Sequence, residues 1–488
     1  MRQRNRTALL PAAWIAVLFS LAAAPPRPNV VIVMPDDVGY GDFSCLGSPV
    51  IKTPNIDALH AQSVRFTDFH VSPTCSPTRS ALMTGRHEFK SGVTHTLAER
   101  ERLSLKAITL PQVLKSAGYT TGIFGKWHLG DEDAYQPGKR GFDETFIHGA
   151  GGIGQTYPGS CGDAPGNTYF DPAILHNGVF EKTKGYCTDV FFNQALSWID
   201  AKRHADAPFF AYITPNAAHA PLQVRKEDED RYRGKVPEDV AKFYGMIANI
   251  DDNVGRLMGK LKEWGIEDNT LLIFLTDNGG TAGVKIFNAG MRGAKVTPYE
   301  GGTRVPSFWR WTSGFKGGKD ATILACHHDI LPTLAAIAGV PLTGDLKGQV
   351  EGRDLGPLLR NENPEWPTRT FVTHVGRWPK GKVREFRDKL CSIRDERYSL
   401  VENKELFDLK NDPGQTRNVA AQHPDVATRL REEYAKWWND VLPRLENEDA
   451  VGPRVNPFKE RYWKQFGGVP DEESLKKMGL DPSAKVPS

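Results

Sequence analysis

Apolar residues in this chain gather into a few short runs, separated by longer stretches in which they recur at helical spacing. Positions 29–34 form a Val-rich run, and similar runs occupy 120–124, 208–214 and 271–276. Continuous apolar runs of this length suit strands buried on both faces of a parallel sheet. Between them, 56–62, 109–117, 188–202 and 240–264 carry the helical pattern. Strands alternating with helices predict an α/β fold built on a large, mixed, mainly parallel sheet flanked by helices. Two glycine-rich stretches, 149–166 and 279–302, are too long for simple turns and read as functional loops.

From about residue 365 the pattern shortens to strand-like pieces at 370–374, 389–394 and 398–402, followed by a helix over 424–438. This predicts a main domain over 25–365 and a smaller α+β domain over 366–488 with a short antiparallel sheet. Its charged, Pro-bearing tail is expected to wrap the surface. Residues 1–24 have the layout of a secretory signal: Arg2, Arg4 and Arg6 precede an apolar run from Ala8 to Ala24. Export to a secreted or periplasmic location follows, with a retained N-terminal anchor as the alternative. No later segment reaches the length of a membrane span.

Charge is nearly balanced at +3 with 25% charged residues, which argues against a nucleic-acid partner. The six cysteines make no Cys-x-x-Cys pair, so a thiolate zinc site is not expected. Cys161 and Cys187 flank one loop-rich stretch and could pair after export.

Candidate chemistry begins where strands end. Asp36 and Asp37 follow the first apolar run, and Asp277-Asn278 follow the run at 271–276. Ligands of open α/β sheets collect beyond the carboxyl ends of strands. Three carboxylates and an amide oxygen there suit a hard cation, Ca²⁺ or Mg²⁺. An N-cap and a solvated neighbour is the plainer reading of Asp36 and Asp37. Cys75-Ser76-Pro77-Thr78-Arg79 predicts a helix start, with Ser76 as N-cap and Pro77 at the first helical position. Cys75 would then lie just ahead of a helix N-terminus, where backbone N–H groups favour anions, and Arg79 would add a fork suited to a tetrahedral oxyanion.

The string from Cys75 to Arg86 resembles the motif of the sulfatase family, whose enzymes oxidise this cysteine to formylglycine with a dedicated maturation enzyme. Gly125-Lys126-Trp127-His128 is similar to a second family element. His219, in Ala218-His219-Ala220-Pro221, resembles the family's next histidine, and Lys295 stands in a matching loop from Gly293 to Pro306, in which Val296 and Pro298 depart from the commoner residues. The resemblance implies an alkaline-phosphatase-like fold and hydrolysis of sulfate monoesters. It implies metal ligation by Asp36, Asp37, Asp277, Asn278 and the modified Cys75. Catalytic roles fall to Cys75, Arg79, Lys126, His128, His219 and Lys295. Related phosphatases and phosphodiesterases with two zinc ions usually carry Asp-His where this chain has Asp277-Asn278, so the softer nitrogen ligand is missing. A phosphate or phosphonate ester hydrolase of the same superfamily, or a secreted glycan-binding protein that is never modified, are the alternatives. His374, Arg377, Trp378, Lys380, Lys382 and Arg384 form a basic stretch that reads either as a solvated loop or as a surface for a sulfated sugar, with Trp378 stacking on the ring.

Overall fold

The computed structural model describes residues 27–362 and 364–468. The proposed signal at 1–24 lies outside them. A ten-stranded sheet carries the fold. Its five central strands, Thr270–Leu275, Asn29–Val33, Phe209–Thr214, Thr120–Lys126 and Glu144–His148, are parallel neighbours in that order. Ser307–Arg310 and Ala173–His176 add antiparallel partners on either side.

Alternation along the first strand explains the layering. Val30 and Ile32 face one apolar core and Val31 and Val33 the other. Helices Pro54–Gln62, Cys187–Lys202 and Glu238–Glu263 cover one face, contributing Leu59, Phe191 and Ile247. Helices Cys75–Thr84, Leu110–Ser116 and Ile330–Ala338 cover the other with Leu82, Val113 and Leu334. Both faces are dry, which is why the strands read as unbroken apolar runs.

A separate four-stranded antiparallel sheet follows: Phe371–His374, Cys391–Arg394, Tyr398–Val401 and Glu405–Asp408. Helix Pro424–Val441 lays Leu430, Tyr434 and Trp438 on its Ile393, Leu400 and Leu406. The last described helix, Pro457–Phe466, covers the edge strand Val179–Lys182, where the Phe180 ring meets Phe458 at 5.9 Å and Tyr462 at 5.4 Å. Among the described residues, no helix is long and apolar enough to cross a membrane.

Three expectations need correction. All six cysteines are free; Cys161 donates its thiol to the Thr96 carbonyl at 3.8 Å, and Cys187 starts a helix in the core. The helix expected from the Cys75 string begins at Cys75 itself, after Thr74. Ser76 does not cap it and instead donates to the His128 carbonyl at 2.8 Å. Pro77 still fits, because none of the first N–H groups of a helix has an intrahelical partner. Trp378 is fully buried, packed against Phe89 and His374 with Arg100 over its ring, and its indole N–H donates to Glu448. It cannot stack on a sugar. Lys380, Lys382 and Arg384 of the same stretch are exposed.

Candidate active site

Four adjacent parallel strands deliver most of the candidate residues. Asp277 and Asn278 leave the end of Thr270–Leu275, Asp36 and Asp37 the end of Asn29–Val33, His219 lies beyond Phe209–Thr214, and Lys126 closes Thr120–Lys126. The register aligns these ends, with Val33 opposite both Phe274 and Ile213. Helix Cys75–Thr84 then brings its first residue over them. One ligand atom each of Asp36, Cys75 and Asp277 lie within 4.8 Å of one another.

Cations interleave with these carboxylates. Lys126 Nζ donates to Asp36 at 2.6 Å and Lys295 Nζ to Asp37 at 2.7 Å. Arg79 Nη2 donates to Asp277 at 2.8 Å, and its Nη1 donates to the Lys126 carbonyl at 3.1 Å. Arg79 is thus paired with Asp277, while its Nε is buried without a hydrogen-bond partner. Thr214, whose hydroxyl also donates to the Lys126 carbonyl at 2.8 Å, sharpens the same corner.

Burial dominates the electrostatics. It pushes Asp36 and Asp277 up to about 6, against the pull of Lys126 on the first and of Arg79 on the second. At Asp37 burial also raises the value, but Lys295 and His219 outweigh it and hold the carboxyl below its ordinary range. Burial would raise the Cys75 thiol too, yet Lys126 and Lys295 bring it below a free thiol. Burial depresses His219 despite Asp37, and depresses His128 strongly, with Lys126 adding to the effect.

The histidines have defined orientations. His128 Nε2 lies 2.7 Å from the Thr96 carbonyl, an acceptor, so this nitrogen carries the proton and Nδ1 keeps its lone pair, unpartnered and buried. His219 Nδ1 faces the Ala220 carbonyl at 2.7 Å, leaving Nε2 3.7 Å from Asp37. His219 and Lys295 side chains are each 14% exposed, whereas Lys126 and Asp36 are at 0%, so the pocket opens on the side of His219 and Lys295.

Two glycines are dictated by close approach. A Cβ on Gly125 would lie 2.0 Å from the Thr214 carbonyl oxygen, with φ already at +121°. One on Gly151 would lie 2.5 Å from the His128 ring. Val296 has φ +68°, strained for a β-branched residue, and is held by its N–H to the Pro73 carbonyl at 2.8 Å, while Lys295 N–H bonds the Gly280 carbonyl at 3.1 Å. These two bonds aim Lys295 at Asp37. Thr96 went unnoticed in the sequence because it acts through its carbonyl, which leaves no residue-type signal; Thr214, the last residue of its strand, could have been found from that position.

The donor set suits a divalent cation. Asp36 Oδ1 and Asn278 Oδ1 are buried without a hydrogen-bond partner, beside the other oxygens of Asp37 and Asp277. All are hard oxygen donors.

Comparison with known proteins identifies the family. The sulfatase family profile matches residues 28–340, and that of the C-terminal region of N-sulphoglucosamine sulphohydrolase matches 294–439. Human arylsulfatase A is 31% identical over 471 residues, covering 86% of this chain and 89% of the relative. Rat N-acetylgalactosamine-6-sulfatase is 32% identical over 383 residues, covering 73% and 70%. Among solved structures, Ps i-CgsB in complex with k-i-k-neocarrahexaose superposes with a TM-score of 0.76 at 28% identity, covering 92% of this chain and 99% of that one. The chain belongs to the sulfatase family and is a sulfuric ester hydrolase.

Proposed function

We propose that the chain hydrolyses sulfate monoesters of a sulfated carbohydrate or an aryl sulfate, through a formylglycine made from Cys75 and a bound divalent cation. The observation that carries this reading is the convergence of Cys75, Asp36 and Asp277 within 4.8 Å, ringed by Arg79, Lys126 and Lys295. Asp36, Asp37, Asp277, Asn278 and the modified residue 75 would hold Ca²⁺, with Mg²⁺ as the other hard ion that fits. The cation would supply positive charge to the sulfate oxygens, and the hydrated aldehyde two geminal hydroxyls, one to attack sulfur and one to expel it as sulfate.

The remaining roles belong to the chain's own side chains. Lys295, at the open side, holds a sulfate oxygen, while Lys126 adds charge from behind Asp36. Arg79 fixes Asp277, whose buried carboxyl accepts the proton of the attacking hydroxyl. Lys295 Nζ, or His219 in its doubly protonated form through Nε2, donates a proton to the departing alcohol oxygen as its bond to sulfur breaks. His128 Nδ1, with its lone pair free, takes the proton of the second hydroxyl.

A sugar substrate is supported by the oligosaccharide bound to Ps i-CgsB and by the amino-sugar named for the rat relative. Export through residues 1–24 to a secreted or periplasmic location, maturation by a formylglycine-generating enzyme, and a catalytic domain over 25–365 with an α+β subdomain over 366–488 complete the proposal. The mass of tryptic peptide 66–79, from protein made in a host able to modify it, tests the nucleophile: the aldehyde in place of the thiol is expected. A panel of sulfated sugars, an aryl sulfate and matched phosphate and phosphonate esters tests the reaction. Untouched thiol in fully active material would sink the mechanism, and preference for the phosphorus esters would sink the substrate class.

A further inference from the structure

Behind the helix Cys75–Thr84 lies a second group of metal-binding side chains that the reaction does not use. One oxygen of Glu88 and one nitrogen each of His327 and His328 lie within 4.8 Å of one another. Glu88 opens the short turn Glu88–Ser91, just past that helix, and the two histidines open the turn His327–Asp329 that leads into helix Ile330–Ala338. All three are at most 8% exposed. His327 Nε2 is 3.9 Å from Glu88 Oε2, and the Ser72 hydroxyl approaches the same nitrogen at 3.1 Å. Glu88 Oε2 and His328 Nε2 are buried with no hydrogen-bond partner. Two orphaned polar atoms on converging side chains in a dry interior call for a third group to satisfy them.

The local charges favour a cation. Arg369, which faces His328, is neutralised by Asp329 at 2.9 and 3.0 Å, and Lys90 by Asp440 at 2.5 Å and by Glu351. Among the described residues the Glu88 carboxylate has only histidines as ion-pair neighbours, its Oε2 lying 3.5 Å from His87 Nδ1 and 3.9 Å from His327 Nε2. Burial drives both imidazoles to the neutral, ligating form and lifts the Glu88 carboxyl to about 7, where a bound cation would keep it ionised. His87 is not part of the set, because its Nδ1 accepts the Phe89 N–H at 3.2 Å. His328 also borders a cavity of about 270 Å³ beside Glu351 and Arg353, with room for a water as fourth ligand.

We propose that Glu88, His327 and His328 form a zinc site that ties the end of the nucleophile-bearing helix to the start of helix Ile330–Ala338. Two imidazole nitrogens and one carboxylate oxygen suit zinc and not calcium, so this site and the oxygen-lined one at Asp36 select different ions. Zinc would take the place of the Ser72 proton at His327 Nε2. Its role is structural, since no group of the reaction reaches it.

The full chain, stripped with chelator and kept in excess calcium to fill the oxygen site, is titrated calorimetrically with Zn²⁺, and thermal unfolding is followed with and without the metal. One equivalent bound and a higher unfolding temperature are expected. Glu88→Gln and His328→Asn should each weaken zinc binding about tenfold or more, while calcium binding and the far-ultraviolet circular dichroism stay unchanged. No zinc uptake by the unaltered chain beyond the calcium site overturns the proposal outright. So does uptake that both variants retain at full affinity. Should one variant misfold, the other and the stoichiometry of the unaltered chain still decide.

Discussion

Replacing Arg394 with Met would remove the cation that joins the C-terminal sheet to the main one. Its Nη1 donates to Glu300 at 3.0 Å and its Nη2 to Asp68 at 2.9 Å, with side-chain exposures of 6% for Arg394, 8% for Glu300 and 20% for Asp68. At an effective dielectric of about 20, each pair attracts by roughly 5 kcal/mol, most of which offsets desolvation. Removing the guanidinium strands both carboxylates, which costs about 3–5 kcal/mol for a buried pair; the partial exposure of Asp68 points to the lower end. The pH dependence has a definite sign. Burial raises Asp68, but Arg394 and His70 outweigh it and hold the carboxyl below its ordinary range. A depressed folded pKa means stability that is present above the unfolded value of about 3.9 and is lost as pH falls through the folded one. Without Arg394, burial weighs more heavily on Asp68, which then protonates at higher pH, and the penalty shrinks on acidification. Equilibrium urea unfolding at about pH 7.5 and about pH 5 measures both effects. A loss below about 1 kcal/mol at the higher pH, or an equal loss at both, would refute the reasoning.

Cys75→Ser should complete at most one turnover, because a single hydroxyl offers no second oxygen to expel sulfate; rapid-quench product counts per enzyme check this. Lys295→Ala should lower kcat/KM by about 10²–10³, the scale of losing one charge at a developing oxyanion, measured on whichever sulfate ester is cleaved best. Val296→Gly should leave activity near that of the parent and raise stability by about 1 kcal/mol, since relief of strain exceeds the entropy of the added glycine; thermal unfolding and a rate assay read the two. Trp378→Ala should destabilise by about 3–5 kcal/mol with KM for a sulfated sugar unchanged, and a raised KM with intact stability would return Trp378 to the substrate surface.

The parts of this protein that were legible in the sequence are those where one physical rule acts on consecutive residues. A strand buried on both faces must be apolar throughout, so the segments at 29–34, 120–124, 208–214 and 271–276 stood out, and they proved to be four adjacent strands of the sheet. Because ligands gather at the carboxyl ends of such strands, Asp36, Asp37, Asp277 and Asn278 could be placed before any contact was known. Strands Glu144–His148, Ala173–His176 and Val179–Lys182 escaped, since the outer strand Val179–Lys182 alternates exposed and buried positions too briefly to show a period. Trp378 misled for the opposite reason: basic neighbours mark a surface, but the indole turns inward, where Glu448 accepts its N–H.

What no local rule could supply is convergence between distant segments. Arg79 reaches Asp277 across 198 positions, and Lys295 reaches Asp37 across 258. The family motifs named these residues without giving their partners, such as the Asp277 carboxylate that Arg79 meets. Glu88, His327 and His328 had no motif to announce them at all. Single histidines and glutamates are ordinary core residues, and they gain meaning only where three of them converge and burial leaves Glu88 Oε2 and His328 Nε2 unsatisfied. Asp36 Oδ1 and Asn278 Oδ1 in the proposed catalytic centre are likewise buried and unsatisfied, and Asp36 converges with Cys75 and Asp277. Convergence of ligand atoms together with an orphaned buried atom therefore marks both a site that the sequence announced and one that it concealed. If zinc fails to bind the second, that mark loses its force as an argument for a cation at the first, and that site must then stand on its donor chemistry and the family's motifs.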